Sequence, residues 1–503
     1  MSQQRSLTNK ASWLFAGKLI AFLLAIVTPL VVARRLDLVT QGVYKQLFAA
    51  ILSASNILPL GFATCAYYFL PSEKEKRNEI IFNIVIVLSL VGIFGAVLVL
   101  AFPQIYTKLL GDPSLSKYAV YVALAIPLTV LCQGFETLLM ANQEVQLTAF
   151  LLILIQATRT LSIFLAVTLW GTPLSILISF LIQGAIIVTL MFWYLISRFP
   201  GFWKHFDGPL LRRQIAYATP VGLAGLLWIL QFDMHNYFVS NFFGAAALAI
   251  YQNGCFQLPL MGMIAESSTA VVLPRLSELR KSGTTHEMLS LVARVMRKLS
   301  VPAFAIYFYF STVAEPFMVF LLTNKFRPSA LIFSVNLLLI LTTIFPADPL
   351  MRTFPERRMY FIKFQCFLLP ASALMLWWAT PKFGPYGAIA VVAAAGIIDR
   401  LFAAFTFSRI LNVTRADFPQ FYDIGRTALS AIVGGAASLA VKHQMMAWQP
   451  VETWRTLFIL LACTSVTFAI VYIFMLFLTG FPDDDEKALL RRFLPISLKA
   501  KLV

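Results

Sequence analysis

Between Ala11 and Thr479 the chain is a succession of apolar stretches, most about twenty residues long, separated by short polar or charged connectors. A bilayer-spanning helix needs roughly 20 apolar residues, so this pattern alone directs the chain into a membrane. The stretches are continuously apolar, whereas the strands of a membrane barrel alternate, so helices are expected. They lie near 11–36, 42–70, 79–102, 119–141, 147–169, 174–196, 215–241, 246–272, 298–322, 329–351, 362–381, 386–408, 427–445 and 456–479. The expected fold class is therefore an all-α polytopic membrane protein with about 14 transmembrane helices.

Composition excludes the competing classes. Of 503 residues, 59% are hydrophobic and 13% charged, with a mean hydropathy of +0.79. Soluble domains carry about a quarter charged residues, so a soluble enzyme, a disordered scaffold and a nucleic-acid-binding module are all excluded. The five cysteines are scattered along apolar spans with no CxxC, so neither a disulfide framework nor a metal site is expected. The polar segment Met1 to Lys10 is short, and the apolar run after it is too long for a signal-peptide core.

The net charge of +17 has its own explanation. With the N-terminus inside, the cytoplasmic segments hold 27 Lys and Arg and the opposite side 10. That asymmetry orients both termini towards the cytoplasm. Anionic headgroups attract the same charge, so membrane lipids are expected partners and nucleic acid is not. The connector 274–297 is expected as a basic helix lying on the headgroups. Pro482-Asp483-Asp484-Asp485 is expected to open a tail helix, with Lys487, Arg491 and Arg492 facing the membrane surface.

An internal repeat organises the spans. Gly42-Val43-Tyr44-Lys45-Gln46 opens the second span and Ala249-Ile250-Tyr251-Gln252-Asn253 opens the eighth, 207 residues later. Six spans per repeat is an even number, so the copies would be parallel, related by a pseudo-two-fold along the membrane normal. The expected domains are an N-terminal six-helix lobe, 1–205, a C-terminal six-helix lobe, 206–410, a helix pair, 411–480, and a cytoplasmic tail, 481–503. No GxxxxGK[ST] phosphate loop or HExxH motif occurs, and the outer connectors are too short for a catalytic loop, so an enzyme is not expected.

Ionisable groups deep in a span are costly unless paired or facing water, and each is a functional candidate. Lys18 lies two turns into the first helix and either snorkels or faces a cavity. Arg34 and Arg35 end that helix, where interfacial anchoring is one role open to them. Arg159 is mid-span in the fifth helix, with Gln156 on the same face. The seventh span carries Gln231, Asp233, His235, Asn236 and Ser240, too many polar groups to face lipid. In the eighth, Asn253 and Gln257 share a stripe and Glu266 lies further on. Gln46, Ser53 and Asn56 do the same in the second. Asp399 and Arg400 sit mid-span in the twelfth, open to either a structural pair or a coupling role. Asp348, between Pro346 and Pro349, marks a helix that could be broken.

Arg35-Leu36, Gly42-x-Tyr44 and Leu60-Gly61 resemble the opening signature of the Wzx-type polysaccharide flippases of the multidrug/oligosaccharidyl-lipid/polysaccharide exporter superfamily. Thr219-Pro220, Phe243-Gly244, Tyr251 and Leu273-Pro274-Arg275-Leu276-Ser277 resemble the start of that family's second lobe. Asp37-Leu38-Val39 departs from it, where the family often has a Gly-Pro turn. The resemblance implies alternating-access flipping of a polyprenyl-pyrophosphate-linked oligosaccharide (O-antigen-type repeat unit) from the cytoplasmic to the outer leaflet of a bacterial inner membrane. Other polysaccharide-assembly proteins are implied partners. On this reading Lys18, Arg35 and Arg159 form a cationic cavity for the headgroup. Asn56, Gln231, Asn236, Asn253 and Gln257 meet sugar hydroxyls. Asp233, Glu266 or Asp399 carries a coupling H+ or Na+, and no other cofactor is expected. The alternatives are a cation-coupled multidrug exporter of the same superfamily, a membrane-embedded glycan polymerase or ligase, and a non-transporting scaffold.

Overall fold

The structure, a computed structural model, describes residues 2–448 and 453–480; the tail helix expected from Pro482 lies outside these residues. Among the described residues every regular element is helical. In order these are α1 (Ser2–Arg35), α2 (Leu38–Ile57), α3 (Ala66–Ser72), α4 (Arg77–Ala101), α5 (Gln104–Leu110), α6 (Ala119–Ala141), α7 (Val145–Leu169), α8 (Pro173–Arg198) and α9 (Gly208–Gly254). There follow α10 (Pro259–Ser282), α11 (Thr285–Thr312), α12 (Ala314–Leu321), α13 (Ser329–Asn336), α14 (Leu338–Thr342), α15 (Ala347–Thr353), α16 (Arg358–Ile410), α17 (Tyr422–Trp448) and α18 (Trp454–Leu478).

The chain divides into two compact units. The first holds Met1–Asn253, Leu322–Lys325 and Ile362–Val392; the second holds Gly254–Leu321, Phe326–Phe361 and Ala393–Val503. In the first, α1 packs on α7, and α6 packs on α4 and α8. Its centre is a fully buried aliphatic cluster that includes Leu47, Ile51, Ile80, Ile84, Val122 and Ile126. In the second, α17 and α18 form an antiparallel pair that also packs on α11. Tyr309 and Tyr472 donate hydroxyl hydrogen bonds across that packing to the Leu461 and Val301 carbonyls, at 3.0 and 2.9 Å.

Ten helical segments among the described residues are long and apolar enough to cross a bilayer, and twelve if two bent pairs each count as one span. The fourteen expected are not reached on that measure because spans eleven and twelve count as one and the eighth is not counted; the second and tenth are broken and still counted. Spans eleven and twelve are one helix, α16, that changes direction at Gly384, whose φ of 66° only glycine adopts without strain. Gly244 plays the same part in α9 at the expected junction of spans seven and eight. The eighth span, expected over 246–272, is interrupted between Gly254 and Pro259. The second, expected over 42–70, stops at Ile57. There Leu60 and Gly61 are both left-handed, with φ of 46° and 63°. The tenth is broken over 343–346, before Asp348, which pairs with Arg352 at 3.1 Å.

The basic connector 274–297 is not a surface helix. Gly283, left-handed at the C-cap, ends α10, and α11 starts two residues later. The segment is thus the facing ends of two long helices, and Met288, Leu289, Val292 and Val295 are buried in the second unit's core. Arg297 is buried there too and forms an ion pair with Asp423, N···O 3.1 Å, that ties α11 to α17. Removing Arg297 takes from Asp423 one of its two arginines and leaves Arg426, so Arg297→Ala should cost about 2 kcal/mol in unfolding of the purified protein. An exposed control such as Arg275→Ala, whose partner Glu278 is one turn away on the surface, should be near neutral.

Asp207 begins α9 by accepting the Leu210 N–H at 2.9 Å and the Lys76 ammonium at 2.9 Å. These interactions, the backbone bond first, hold its carboxyl below the usual value of 3.8. Its stabilising contribution is therefore complete above that value and is lost as pH falls below about 4. The gap in melting temperature between the native chain and Asp207→Asn should be present at pH 7 and shrink as pH falls below about 4.

Candidate functional site

The first unit encloses a cavity of about 400 Å³ bounded by α1, α2 and α9. Its formation begins with glycine. A Cβ at Gly42 would collide with the backbone of Ala245, so only glycine lets α2 approach α9 this closely. Below that contact Gln46, fully buried, donates from Nε2 to Ser240 Oγ at 2.8 Å, and Ser240 donates onward to the Leu110 carbonyl at 2.7 Å. Tyr237 donates its hydroxyl to the Ala49 carbonyl at 3.2 Å. The two helices are thereby held in register along two turns. At the head of α2 Asp37 accepts the amides of Val39 and Thr40 at 3.0 Å each, an N-cap that takes the place of the turn usual in the resembling family.

The cavity wall is polar on the faces of α2 and α9. Gln41, Lys45, Ser53 and Asn56 come from α2, and Asp233, Asn236, Gln252 and Asn253 from α9. Lys45 Nζ donates to Asn253 Oδ1 at 2.8 Å, so the two copies of the repeat motif meet here. Asn56 Oδ1 accepts from Gln133 Nε2 at 3.0 Å. Three wall atoms, Gln41 Oε1, Asn236 Oδ1 and Asn253 Nδ2, are buried with no hydrogen-bond partner among the described residues. Each costs about 1–3 kcal/mol in that condition, which a turn of these amides towards the donors and acceptors of a ligand would relieve. Aromatic faces complete it: Tyr44 packs edge-on to Phe48, ring centroids 4.7 Å apart, and Phe48 lies against Phe180.

Of the residues singled out from the sequence, Asn56, Asp233, Asn236 and Asn253 are brought together on this wall. The expected cationic trio is not. Arg159 lies over the Phe180 ring at 5.6 Å and within electrostatic reach of Tyr44, without itself lining the cavity. Lys18 lies within electrostatic reach of Glu136 on α6. Arg35 is exposed at the end of α1. Gln231 is half-buried beside the wall without lining it. Gln257 falls in the exposed break before α10, and Glu266 is exposed on α10; both belong to the second unit. So does Asp399, with the charge of its neighbour Arg400 acting on it. The cation on the wall is Lys45, which charge counting alone assigns to the outer side of the membrane. The signal that marks it is its place in the repeat motif, one residue after Tyr44.

Among the described residues no group of three His, Cys, Asp or Glu is placed to hold a metal ion. The fold is similar to that of the lipid II flippase MurJ in an inward closed conformation. The identity is 17% and the TM-score 0.72, over 92% of this chain and 97% of that one. It is also similar to an inward-facing multidrug resistance MATE family transporter of the MOP superfamily, at 12% identity and TM-score 0.59, over 78% of this chain and 96% of that one. The Vibrio cholerae MATE transporter VcmN matches at 15% identity and TM-score 0.54, over 82% of this chain and all of that one. A sequence search of curated proteins finds no match. The model of the polysaccharide biosynthesis protein family matches residues 7–280, more than half of the chain, and the chain therefore belongs to that family.

Proposed function

We propose that the protein is a flippase of polysaccharide biosynthesis. It moves a polyprenyl-pyrophosphate-linked oligosaccharide across a bacterial inner membrane, from the cytoplasmic to the outer leaflet, by alternating access. The observation that carries this reading is the cavity wall itself: one ammonium, amides with unspent hydrogen-bonding capacity and an aromatic side, inside a helical membrane unit. Sugar hydroxyls supply the missing donors and acceptors, and an aromatic flank suits the apolar face of a pyranose. Lys45 neutralises an anionic part of the cargo, and Asp233 on the facing helix takes the coupling H+ or Na+. Membership of a polysaccharide biosynthesis family and the MurJ-like fold support a transporter rather than an enzyme. The MATE-like matches fit a drug exporter in fold only. The two-lobe layout and the cytoplasmic termini belong to the same proposal, as do partner proteins of glycan assembly.

The test is to deplete the protein in its host and measure polyprenyl-pyrophosphate oligosaccharides by mass spectrometry, with an outside-only glycosidase reporting their leaflet. One intact repeat unit should accumulate on the cytoplasmic face. An unchanged pool together with altered sensitivity to cationic drugs would transfer the assignment to the exporter.

A further inference from the structure

In the first unit, the connector between α3 and α4 and the head of α9 are joined by a crossed pair of ion bridges. Glu73 pairs with Arg213, and Lys76 pairs with Asp207 at 2.9 Å. Each segment thus contributes one cation and one carboxylate. Asp207 also feels the charge of Arg213, and Lys76 that of Glu73, so the four groups form one cluster. Glu79, within reach of Lys76 as well, faces His205 at 4.0 Å. The cluster lies where two apolar spans end, Leu38–Ser72 on one side and Lys74–Ala101 on the other, which is headgroup level.

The frame that carries the two cations does not depend on the bridges. Asn83 of α4, fully buried, donates to the Asp207 carbonyl at 2.9 Å and to Gln214 Oε1 at 3.1 Å, and Gln214 is fully buried too. These bonds dock the head of α9 on α4. The Arg213 guanidinium lies over the Phe69 ring at 5.6 Å, which keeps it at this edge when its carboxylate turns away. Both cations are half-exposed, and ion pairs in contact with water are weak and exchange readily. Asp207 is also held as the cap of α9, so Glu73 is the exchangeable partner.

A turn deeper, the surface is aromatic. The Tyr217 ring stacks on Tyr68 at 4.9 Å and meets Phe69 edge-on at 5.8 Å, and both tyrosines are exposed. Two cations at headgroup level with exposed aromatic rings beside them complement a prenyl diphosphate, whose phosphates meet the cations and whose first isoprene units meet the rings. A phospholipid offers one phosphodiester charge, too little to replace a carboxylate on both cations.

We propose that Lys76 and Arg213 form a loading site for the diphosphate of the cargo, with Glu73 as a built-in counter-ion that the diphosphate replaces. This rests on the flippase reading above, and the cargo meets this site before it reaches Lys45 in the cavity. In its absence the carboxylates keep both cations paired, which excludes ligands of lower charge.

The test turns on two substitutions that break the same bridge. Full-length protein in phosphatidylcholine nanodiscs is titrated with radiolabelled farnesyl diphosphate. Arg213→Gln and Lys76→Gln should each weaken binding about tenfold, and Arg213→Lys should recover most of it. Glu73→Gln should tighten binding about threefold, because the internal competitor is gone. Arg213→Gln and Glu73→Gln should lower the melting temperature alike, since each loses the same bridge, so a purely structural role would move both affinities in one direction. Phosphatidylglycerol in the nanodisc should leave the affinity unchanged, and so should Lys45→Gln. The proposal is overturned if Glu73→Gln binds no tighter than the native chain, or if Lys45→Gln rather than Arg213→Gln abolishes binding. Displacement of the probe by phosphatidylglycerol would assign the site to phospholipid, and inorganic pyrophosphate that farnesyl diphosphate fails to displace would assign it to a free anion; either overturns it. A native chain that binds no farnesyl diphosphate, with a glycan pool unchanged on depletion, removes the flippase reading itself. Binding by the native chain with no gain in Glu73→Gln removes the loading site alone.

Discussion

Lys45→Gln is expected to reduce transport ten- to a hundredfold at normal protein levels, with the cytoplasmic pool of lipid-linked glycan rising in proportion. The side chain that replaces it is shorter and neutral and still hydrogen-bonds, so the contact with Asn253 is the lesser loss and the missing charge the greater. A hydrogen bond to a charged group contributes about 1.5–3 kcal/mol, and each 1.4 kcal/mol is a factor of ten. Lys45→Arg keeps the charge and should retain most of the activity. The decisive comparison is with Arg159→Gln. That cation lies over the Phe180 ring and does not line the cavity, so its loss should lower stability and leave the apparent affinity for cargo within about threefold. If Lys45→Gln flips cargo normally while Arg159→Gln does not, the headgroup lies elsewhere and the cavity reading is withdrawn.

Gly42→Leu should be among the most damaging substitutions at the glycines of the first unit, beside Gly222, where a Cβ would meet the Leu60 carbonyl. The new side chain would enter the backbone of Ala245, which has no rotamer by which to move aside, unlike a neighbouring side chain. Overpacking in a tight interior costs about 1–3 kcal/mol and occasionally more, and a backbone obstacle belongs at the upper end. The Gln46–Ser240–Leu110 relay lies one turn away and would be pulled out of register. Thermal unfolding in detergent should show the loss directly. Gly425→Ala, where space is open, should raise stability slightly through helix propensity. Equal melting temperatures for Gly42→Leu and the native chain would mean that α2 and α9 are not in contact.

The sequence shows the helices and their faces well, because continuous apolar runs and i, i+4 polar stripes are local properties. Asp233, Asn236 and Asn253 were identifiable in that way, as polar groups too dense to face lipid. What stays hidden is which side of a helix meets which neighbour. Arg159 has the right depth for a cavity and the wrong azimuth, and depth is all that a hydropathy profile measures. Lys45 fails in the other direction. Its position near the end of a span makes it look interfacial, and only the approach of α9 at Gly42 encloses it. The breaks at Leu60-Gly61 and before Pro259 are hidden because apolar residues continue straight through them, so no change of composition marks the change of backbone. Gly283 is hidden for a simpler reason: the basic residues on both sides of it read as one helix, and a lone glycine with left-handed geometry divides them in two.

The Lys45–Asn253 bond joins the fourth position of one motif to the fifth position of the other, and the residue that matches Lys45 in the second motif is Gln252, which lies on the same wall. A lysine at 252 as well would set two ammonium groups on one cavity, which repel by about 1 kcal/mol in water at 4 Å and by more where water is scarce. The cavity carries a single ammonium because the two motifs differ at this place, and relatives with lysine in the second motif are expected to carry an uncharged residue in the first.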